Sequence, residues 1–145
     1  LHLSIRRQRQ MCIRDSEKKT AYCASPYNSG PLDQATNIIN AQTLAKTAAH
    51  HGFIPVSPVE NFKHLDGDIG EREILELCIG LLLSCQCLYL APNWRVSTGA
   101  RIEQQVAEAA NLPILEVTLK EIKEAGHTWL TIKGLGYLRG KEDKF

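Results

Sequence analysis

The residues best suited to chemistry follow the third apolar run of the chain. Ser97, Thr98 and Gly99 open an expected helix, so free backbone N–H groups and the positive end of the helix dipole face outward. Glu103 lies one turn further on. The dipole favours its ionised form, and an ionised Glu in a cleft attacks an electrophilic carbon or stabilises an oxocarbenium ion. The alternative is an ordinary Glu that stabilises the first turn of the helix.

Aromatic and polar residues of neighbouring loops have similar pairs of interpretations. Trp94 either stacks on a base or sugar or covers the sheet edge. Tyr27 either closes a pocket with its hydroxyl group or caps the apolar end of the first strand. Asp66 and Asp68 are either acid/base groups or turn formers in a loop that contains glycine, and His64 is either a polar contact or an exposed loop residue.

The sequence contains no recognised motif for a metal site or for a phosphate-binding loop. Cys78, Cys85 and Cys87 include a C-x-C without the second pair of ligands that a zinc site needs, so buried thiols are expected. Neither G-x-G-x-x-G nor G-x-x-x-x-G-K-[ST] occurs. We therefore expect no bound metal.

Alternating strands and helices are expected to position these loops. The strands are predicted at 20–24, 53–56, 87–90 and 113–117, and one more at 129–132. The helices are predicted from a cap at Asp33 to about His51, at 71–84, from Ser97 or Thr98 to about Asn111, and from Thr118 to Ala125. Residues 59–70 are expected to be a polar loop. Pro55 lies inside the second predicted strand, although proline has no N–H group to donate to a strand ladder. The packing face of the second helix is expected to contain Ile74, Leu75, Leu77, Ile79, Leu81 and Leu82.

This order of elements predicts one α/β domain. Short connections in a βαβαβαβα pattern favour a three-layer, doubly wound, mostly parallel sheet with helices on both faces, a flavodoxin-like or Rossmann-like architecture. In such a sheet ligands bind beyond the carboxyl ends of the strands. Three loops lie there: 25–30 (SPYNSG), 57–70, and 91–100 with the Ser97 segment.

The first 16 residues are expected to be foreign to the domain. Arg6 to Asp15 back-translate without interruption into a transposon-type sequencing-library adaptor, so we interpret 1–16 as a disordered, adaptor-derived segment. The domain is then expected at 17–126, and 127–145 is expected to be an extension with a short strand and a charged tail.

Charge and hydropathy exclude several classes of protein. The 145 residues carry 17 Lys and Arg against 16 Asp and Glu, and removal of 1–16 leaves 13 against 15. No basic field of the kind that binds nucleic acid is present. The longest apolar run, 77–83, is too short to span a bilayer. Five cysteines without framework spacing favour a reduced, cytoplasmic setting.

Three stretches of the sequence resemble the nucleoside 2-deoxyribosyltransferase-like superfamily, in particular its small, phage-associated branches. They are AYCASPYNSG, the following helix with HGFIPVSP, and LLLSCQCLYLAPNWRVSTGARIEQQVAEAANLPILEV, which together cover about residues 20–117. The most specific string is W-x-x-S-x-G-A-x-x-E-x-x-x-A. It is formed here by Trp94, Ser97, Gly99, Ala100, Glu103 and Ala107.

The resemblance implies a flavodoxin-like fold, an oligomer of identical chains, and an enzyme without metal or organic cofactor. Glu103 matches the residue that attacks the anomeric carbon of a 2-deoxyribonucleoside and forms a covalent deoxyribosyl intermediate. The resemblance places the SPY and STG loops around the sugar of the substrate, or around its phosphate if one is present. Their residues are Ser25, Pro26, Tyr27, Ser97, Thr98 and Gly99, and Trp94 or Tyr27 is expected to help enclose the substrate.

Two departures from the pattern bear on catalysis. Relatives commonly carry Asp where this chain has Gln86, and often where it has Cys78. Gln cannot ionise or donate a proton as an acid, so an enzyme that protonates the leaving base from there would be impaired. Three hypotheses therefore stand: an enzyme acting on an N-glycosidic bond of a 2-deoxynucleoside or its monophosphate, a nucleotide-binding module without turnover, and a phage accessory protein with a vestigial pocket.

Overall fold

Four parallel strands form one sheet at the centre of the described part of the chain, residues 18–131 of a computed structural model. The strands are β1 (Thr20–Ala24), β2 (Ile54–Val56), β3 (Cys87–Leu90) and β4 (Ile114–Glu116). The helices are α1 (Gln34–His50), α2 (Pro58–Phe62), α3 (Glu71–Leu83), α4 (Thr98–Ala109) and α5 (Leu119–Glu124), with 3-10 turns at Lys63–Leu65 and Trp94–Val96. The strand order β2-β1-β3-β4 is that of flavodoxin-like folds, which confirms the predicted α/β architecture.

Helices cover both faces of the sheet because alternate residues of each central strand face opposite ways. Ala21 and Cys23 of β1 belong to one apolar cluster, which contains residues of α1 and α5. Tyr22 and Ala24 belong to the other, which contains residues of α3 and α4. All four residues of β3 are fully buried, as expected for a strand with neighbours on both sides.

The short strand β2 lies at one edge of the sheet and tolerates Pro55 for a geometric reason. The N–H of Ile54 donates to the carbonyl of Lys19 at 2.8 Å, so the strand directs that N–H inward to its neighbour. The nitrogen of the next residue, Pro55, faces away from the ladder, where a missing N–H removes no hydrogen bond between strands.

Side-chain caps fix where the helices begin. Asp33 accepts from the N–H of Thr36 at 2.7 Å and begins α1 at the predicted position. Ser97 accepts from the N–H of Ala100 at 3.1 Å and begins α4. Thr118 begins α5 as one half of a capping box with Glu121.

The prediction of an irregular loop over 59–70 is wrong for its first half. Ser57 accepts from the N–H of Glu60 at 3.3 Å, and Pro58 occupies the first turn, so α2 begins directly after β2. The sequence S-P-V-E carries both N-terminal helix signals, a capping Ser and an early Pro. The same Ser-Pro pair is also typical of the end of a strand, so the sequence does not distinguish the two.

The predicted packing face of α3 is confirmed for Leu81 and Leu82, which pack in the apolar cluster beside α4, and is wrong for Leu77, which is 43% exposed. Leu83, which was not predicted to lie on that face, is 53% exposed. Apolar residues surround this helix, so their periodicity does not single out one face. Ile74 and Leu75 border a cleft instead of the core.

No strand forms at Trp129–Thr131, the described part of the strand predicted at 129–132. Asn40 of α1 provides the backbone of Leu130 with both partners: its Nδ2 donates to the carbonyl at 3.0 Å and its Oδ1 accepts from the N–H at 2.9 Å. Trp129 packs in the cluster beside α1 and α5. The predicted adaptor segment at 1–16 and the predicted charged tail lie outside the described residues.

We expect Asn40→Ala to lower the free energy of unfolding by about 1–3 kcal/mol, because the half-buried N–H and carbonyl groups of Leu130 lose their partners. Urea denaturation followed by tryptophan fluorescence measures the change. Lys46→Ala, at an exposed position of the same helix, is the control and should leave the midpoint unchanged. Equal midpoints for both variants would contradict this role for Asn40.

Candidate active site

A cleft of about 540 Å³ opens at the carboxyl ends of β1 and β3. The chain connections diverge between these two strands, which is where ligands bind in doubly wound sheets. Its walls come from the loop after β1, from α2 and the turn that follows it, from α3, and from the start of α4. The cleft therefore joins the first two predicted loops to the N-terminus of α4.

Six of the eight residues predicted for the site line this cleft. They are Ser25, Tyr27, Ser97, Thr98, Gly99 and Glu103. Pro26 and Trp94 are not part of its wall. The hydroxyl oxygen of Ser25 is buried and has no hydrogen-bond partner among the described residues.

Trp94 lies at the edge of the sheet. It is 9% exposed, and its Nε1 donates to Oε1 of Glu116, the last residue of β4, at 2.9 Å. The guanidinium of Arg95 lies 4.6 Å from the ring centroid and donates to the same carboxylate oxygen at 3.0 Å. These contacts match the second interpretation of Trp94, a cover for the sheet edge.

Glu103 is buried at the inner end of the cleft. It is 6% exposed, on the side of α4 that faces the sheet. The hydroxyl group of Tyr22 donates to its Oε2. Burial raises the pKa of Glu103 to about 7, and the hydrogen bond from Tyr22 acts in the opposite direction by stabilising the carboxylate. Near neutral pH this group exists in both protonation states.

Tyr22 is the residue of the site that the sequence did not reveal. Its side chain is fully buried on β1, and burial raises the pKa of its hydroxyl group well above the usual range, with the charge of Glu103 adding to the effect. In the sequence it is one aromatic residue in a short β-prone run. The sequence did offer one signal, because a tyrosine on a buried strand requires a hydrogen-bond partner for its hydroxyl group.

Gly30 holds the first loop against the third. Its φ of +84° lies in the left-handed region, and a Cβ atom there would lie 2.7 Å from Cγ2 of Val96. A larger residue would be strained and would push against the residue that precedes Ser97. The close approach therefore sets the distance between two walls of the cleft.

A small polar network forms the rim of the cleft. The Tyr27 hydroxyl donates to Oδ2 of Asp66 at 3.2 Å, and Nε2 of Gln34 donates to the same oxygen at 3.3 Å. Asp66 thus fixes the side chain of Tyr27. Asp68 and His64 are exposed and do not line the cleft.

The two departures from the family pattern fall in different places. Gln86 precedes β3 at the amino end of the sheet, where its Oε1 accepts from the N–H of Thr20 at 2.9 Å. Because the cleft lies at the carboxyl ends of the strands, the expectation that Gln86 affects protonation of a leaving base is corrected. Cys78 lines the cleft, and burial raises the pKa of its thiol to about 11.

Within residues 18–131 no group of three or more His, Cys, Asp and Glu residues is arranged to hold a metal ion. In the same range, no helix has the length and apolar character that crossing a lipid bilayer requires. The polar side chains of the cleft can accept or donate hydrogen bonds, and Glu103 can act as a nucleophile when ionised.

The fold and the cleft define a flavodoxin-like α/β protein with a buried carboxylate at the switch point of its sheet. The family model of a domain of unknown function, DUF4406, matches residues 22–116, and the chain belongs to that family. None of the curated proteins compared with the chain matches it.

Replacing Tyr22 with Phe is expected to raise the pKa of Glu103 further above 7, because the hydrogen bond that stabilises its ionised form is lost. The side-chain carboxyl carbon of Glu103, followed by NMR across a pH series, reports the value. Tyr27→Phe is the matched control, since the hydroxyl group of Tyr27 contacts Asp66. A Glu103 pKa that is unchanged or lower in Tyr22→Phe would show that this hydrogen bond does not favour the carboxylate.

Proposed function

We propose that the protein is a nucleoside 2-deoxyribosyltransferase-like enzyme that acts on the N-glycosidic bond of a 2-deoxynucleoside or its monophosphate. Glu103 is its nucleophile. The ionised carboxylate attacks the anomeric carbon, the base leaves, and a second base or water resolves the glycosyl ester. Water as the acceptor makes the enzyme a hydrolase, and a second base makes it a transferase.

The observation that supports this proposal most directly is the placement of Glu103. A carboxyl group that is 6% exposed is costly to bury, and here it faces a cleft large enough for a nucleoside and touches the Tyr22 hydroxyl. A Glu that only stabilised the first turn of a helix would be solvated at no cost. Burial in a cleft favours the catalytic interpretation over the purely structural one.

The remaining polar groups suit the sugar end of such a substrate. The unpartnered hydroxyl group of Ser25 and the helix start at Ser97–Gly99 face the same cleft as Glu103. Hydroxyl groups bind sugar oxygens, and the N-terminus of a helix suits a phosphate. Tyr27 lines the same cleft, and its hydroxyl group donates to Asp66 at the rim.

A binding module without turnover is the second candidate, in the role of a phage accessory protein. The observation in its favour is Cys78, a thiol in the cleft at a position where relatives often carry Asp. Such a protein would use the same pocket for a nucleoside or nucleotide.

The full chain, incubated with 2-deoxynucleosides and their monophosphates, is expected to release free base, and Glu103→Gln is expected to abolish release while retaining binding. Glu108→Gln, an exposed Glu on the same helix, is the control. Because attack requires the carboxylate, kcat/KM should rise with pH and level off above the Glu103 pKa of about 7. Chromatography of the released base measures both effects. Turnover that survives in Glu103→Gln excludes the nucleophile role, and binding without any release supports the binding module.

The proposal includes a homo-oligomer in the cytoplasm. The four described cysteines are free thiols, which is typical of a reducing compartment.

On α3 the exposed side chains of Leu77 and Leu83 lie three residues either side of Gly80, where space is open. Two α3 helices crossing antiparallel at Gly80 bring the leucines of one copy against those of a second, which is the self-complementary contact that a two-fold dimer needs.

Light scattering is expected to give the mass of a dimer for the wild type and that of a monomer for Leu77→Glu, because the new charge would be buried at the contact. Ile39→Glu, at an exposed apolar position on α1, is the matched control and should remain dimeric. A wild-type protein that is monomeric at all concentrations would exclude this contact.

A further inference from the structure

The immediate neighbours of Glu103 are a phenol and a thiol. Tyr22 donates its hydroxyl hydrogen to Glu103, and Cys78 of α3 interacts with both Tyr22 and Glu103. Tyr22 contacts the Glu103 carboxyl group directly, and Cys78 lines the same cleft as Glu103. The reacting end of the cleft is therefore built from one carboxyl group and two weakly acidic groups.

Both neighbours retain their protons near neutral pH. Burial, together with the charge of Glu103, raises the pKa of Cys78 to about 11 and raises that of Tyr22 well above its usual range. Two other carboxyl groups line the cleft: Asp66 accepts hydrogen bonds from Tyr27 and Gln34, and Glu71 is exposed at the start of α3. The groups beside Glu103 are thus suited to hold the nucleophile and poorly suited to protonate a leaving group.

The identity of the leaving group decides whether a proton is needed. When the bond between C1′ and a neutral base breaks, the electron pair leaves a negative charge on the base nitrogen, and a general acid must neutralise it. When the base is already cationic, the same electron pair neutralises its positive charge. The base then leaves as a neutral molecule without taking a proton.

We propose that the cleft acts on nucleosides whose base carries a positive charge, namely N-glycosyl pyridinium compounds or N7-alkylated purine nucleosides. This inference rests on the proposed function. An oxygen of Glu103 attacks C1′, the C1′–N bond breaks, and the electron pair goes to the cationic ring. Water then attacks C1′, the bond to Glu103 breaks, the carboxylate is restored, and one proton passes to solvent.

Cys78 is the specificity-determining residue in this arrangement. It is half-buried and lines the same cleft as the nucleophile, Glu103. A thiol there adds neither a negative charge nor an available proton, whereas a carboxyl group could add either. The residue at position 78 therefore selects between cationic and neutral leaving groups.

The test compares substrates that differ only in charge. The full chain is given 2′-deoxyguanosine and N7-methyl-2′-deoxyguanosine, with the 2′-deoxyriboside of nicotinamide as the pyridinium representative. Each kcat/KM is divided by the rate of the uncatalysed reaction, because cationic nucleosides also decompose faster in water. We expect the resulting acceleration to be larger for the two cationic substrates by roughly 10²–10⁴-fold, the usual contribution of a general acid. Release from only one cationic substrate shows which ring the cleft accepts.

A variant at position 78 tests the cause. Cys78→Asp is expected to increase kcat/KM for 2′-deoxyguanosine by at least about tenfold and to add a falling limb at high pH, where the new acid loses its proton. Cys78→Ser, which removes the thiol without adding an acid, should keep the preference for the cationic substrates. Far-ultraviolet circular dichroism checks that both variants are folded.

The outcomes separate this inference from the proposed function. Equal acceleration of neutral and cationic substrates by the wild type overturns the preference and leaves an enzyme that uses Glu103. A preference that Cys78→Asp does not reduce overturns the role of Cys78. If the folded wild type releases base from none of the substrates, the proposed function itself fails.

Discussion

The hydrogen bond between Tyr22 and Glu103 is the contact on which the arrangement of this protein depends. It joins the central strand β1 to α4 inside a layer that is otherwise apolar. A buried carboxyl group is costly unless it has a partner, so α4 must keep the rotation that directs Glu103 at the tyrosine. That rotation is fixed at the start of the helix by the Ser97 cap, and the cleft forms over the same turn.

The hydrogen bond between Tyr22 and Glu103 also affects the protonation state of the carboxyl group, and through it the reactivity of Glu103. An apolar environment makes the carboxylate of Glu103 less stable, and the tyrosine hydroxyl recovers part of that loss. The result is a carboxyl group poised between its two protonation states near neutral pH, a common property of catalytic carboxylates. A fully solvated Glu at the same position would be ionised but would have no protected space in which to react.

Much of this fold could be predicted from the sequence because its signals are local. Strand β3 is a continuous apolar run with the predicted bounds, and Asp33 begins α1 through a cap that depends on a few neighbouring residues. The glutamate at the centre of the site could be predicted because a helix start after a central strand occurs at the ligand-binding edge of such sheets.

The features that could not be predicted depend on contacts between distant parts of the chain. Tyr22 contacts Glu103, which lies 81 residues further along the chain. The sequence around a single strand residue does not indicate which helix will place a carboxyl group beside it. The resemblance links the position of Gln86 to protonation of a leaving base, whereas its place at the amino end of β3 removes it from the cleft. Asn40 satisfies the backbone of Leu130 across 90 residues, so an extended segment has a partner without joining the sheet.

The edge position of Pro55 has a consequence for how copies of this protein meet. An open sheet edge presents unpaired backbone groups on which another chain can build a further strand, the usual start of aggregation. On β2 the proline removes one of the outward donors and the strand is only three residues long. The Arg95–Glu116 ion pair places charge at the opposite edge, on β4. Both edges of the sheet formed by the described residues are thus poor templates for strand addition, which favours association through helices.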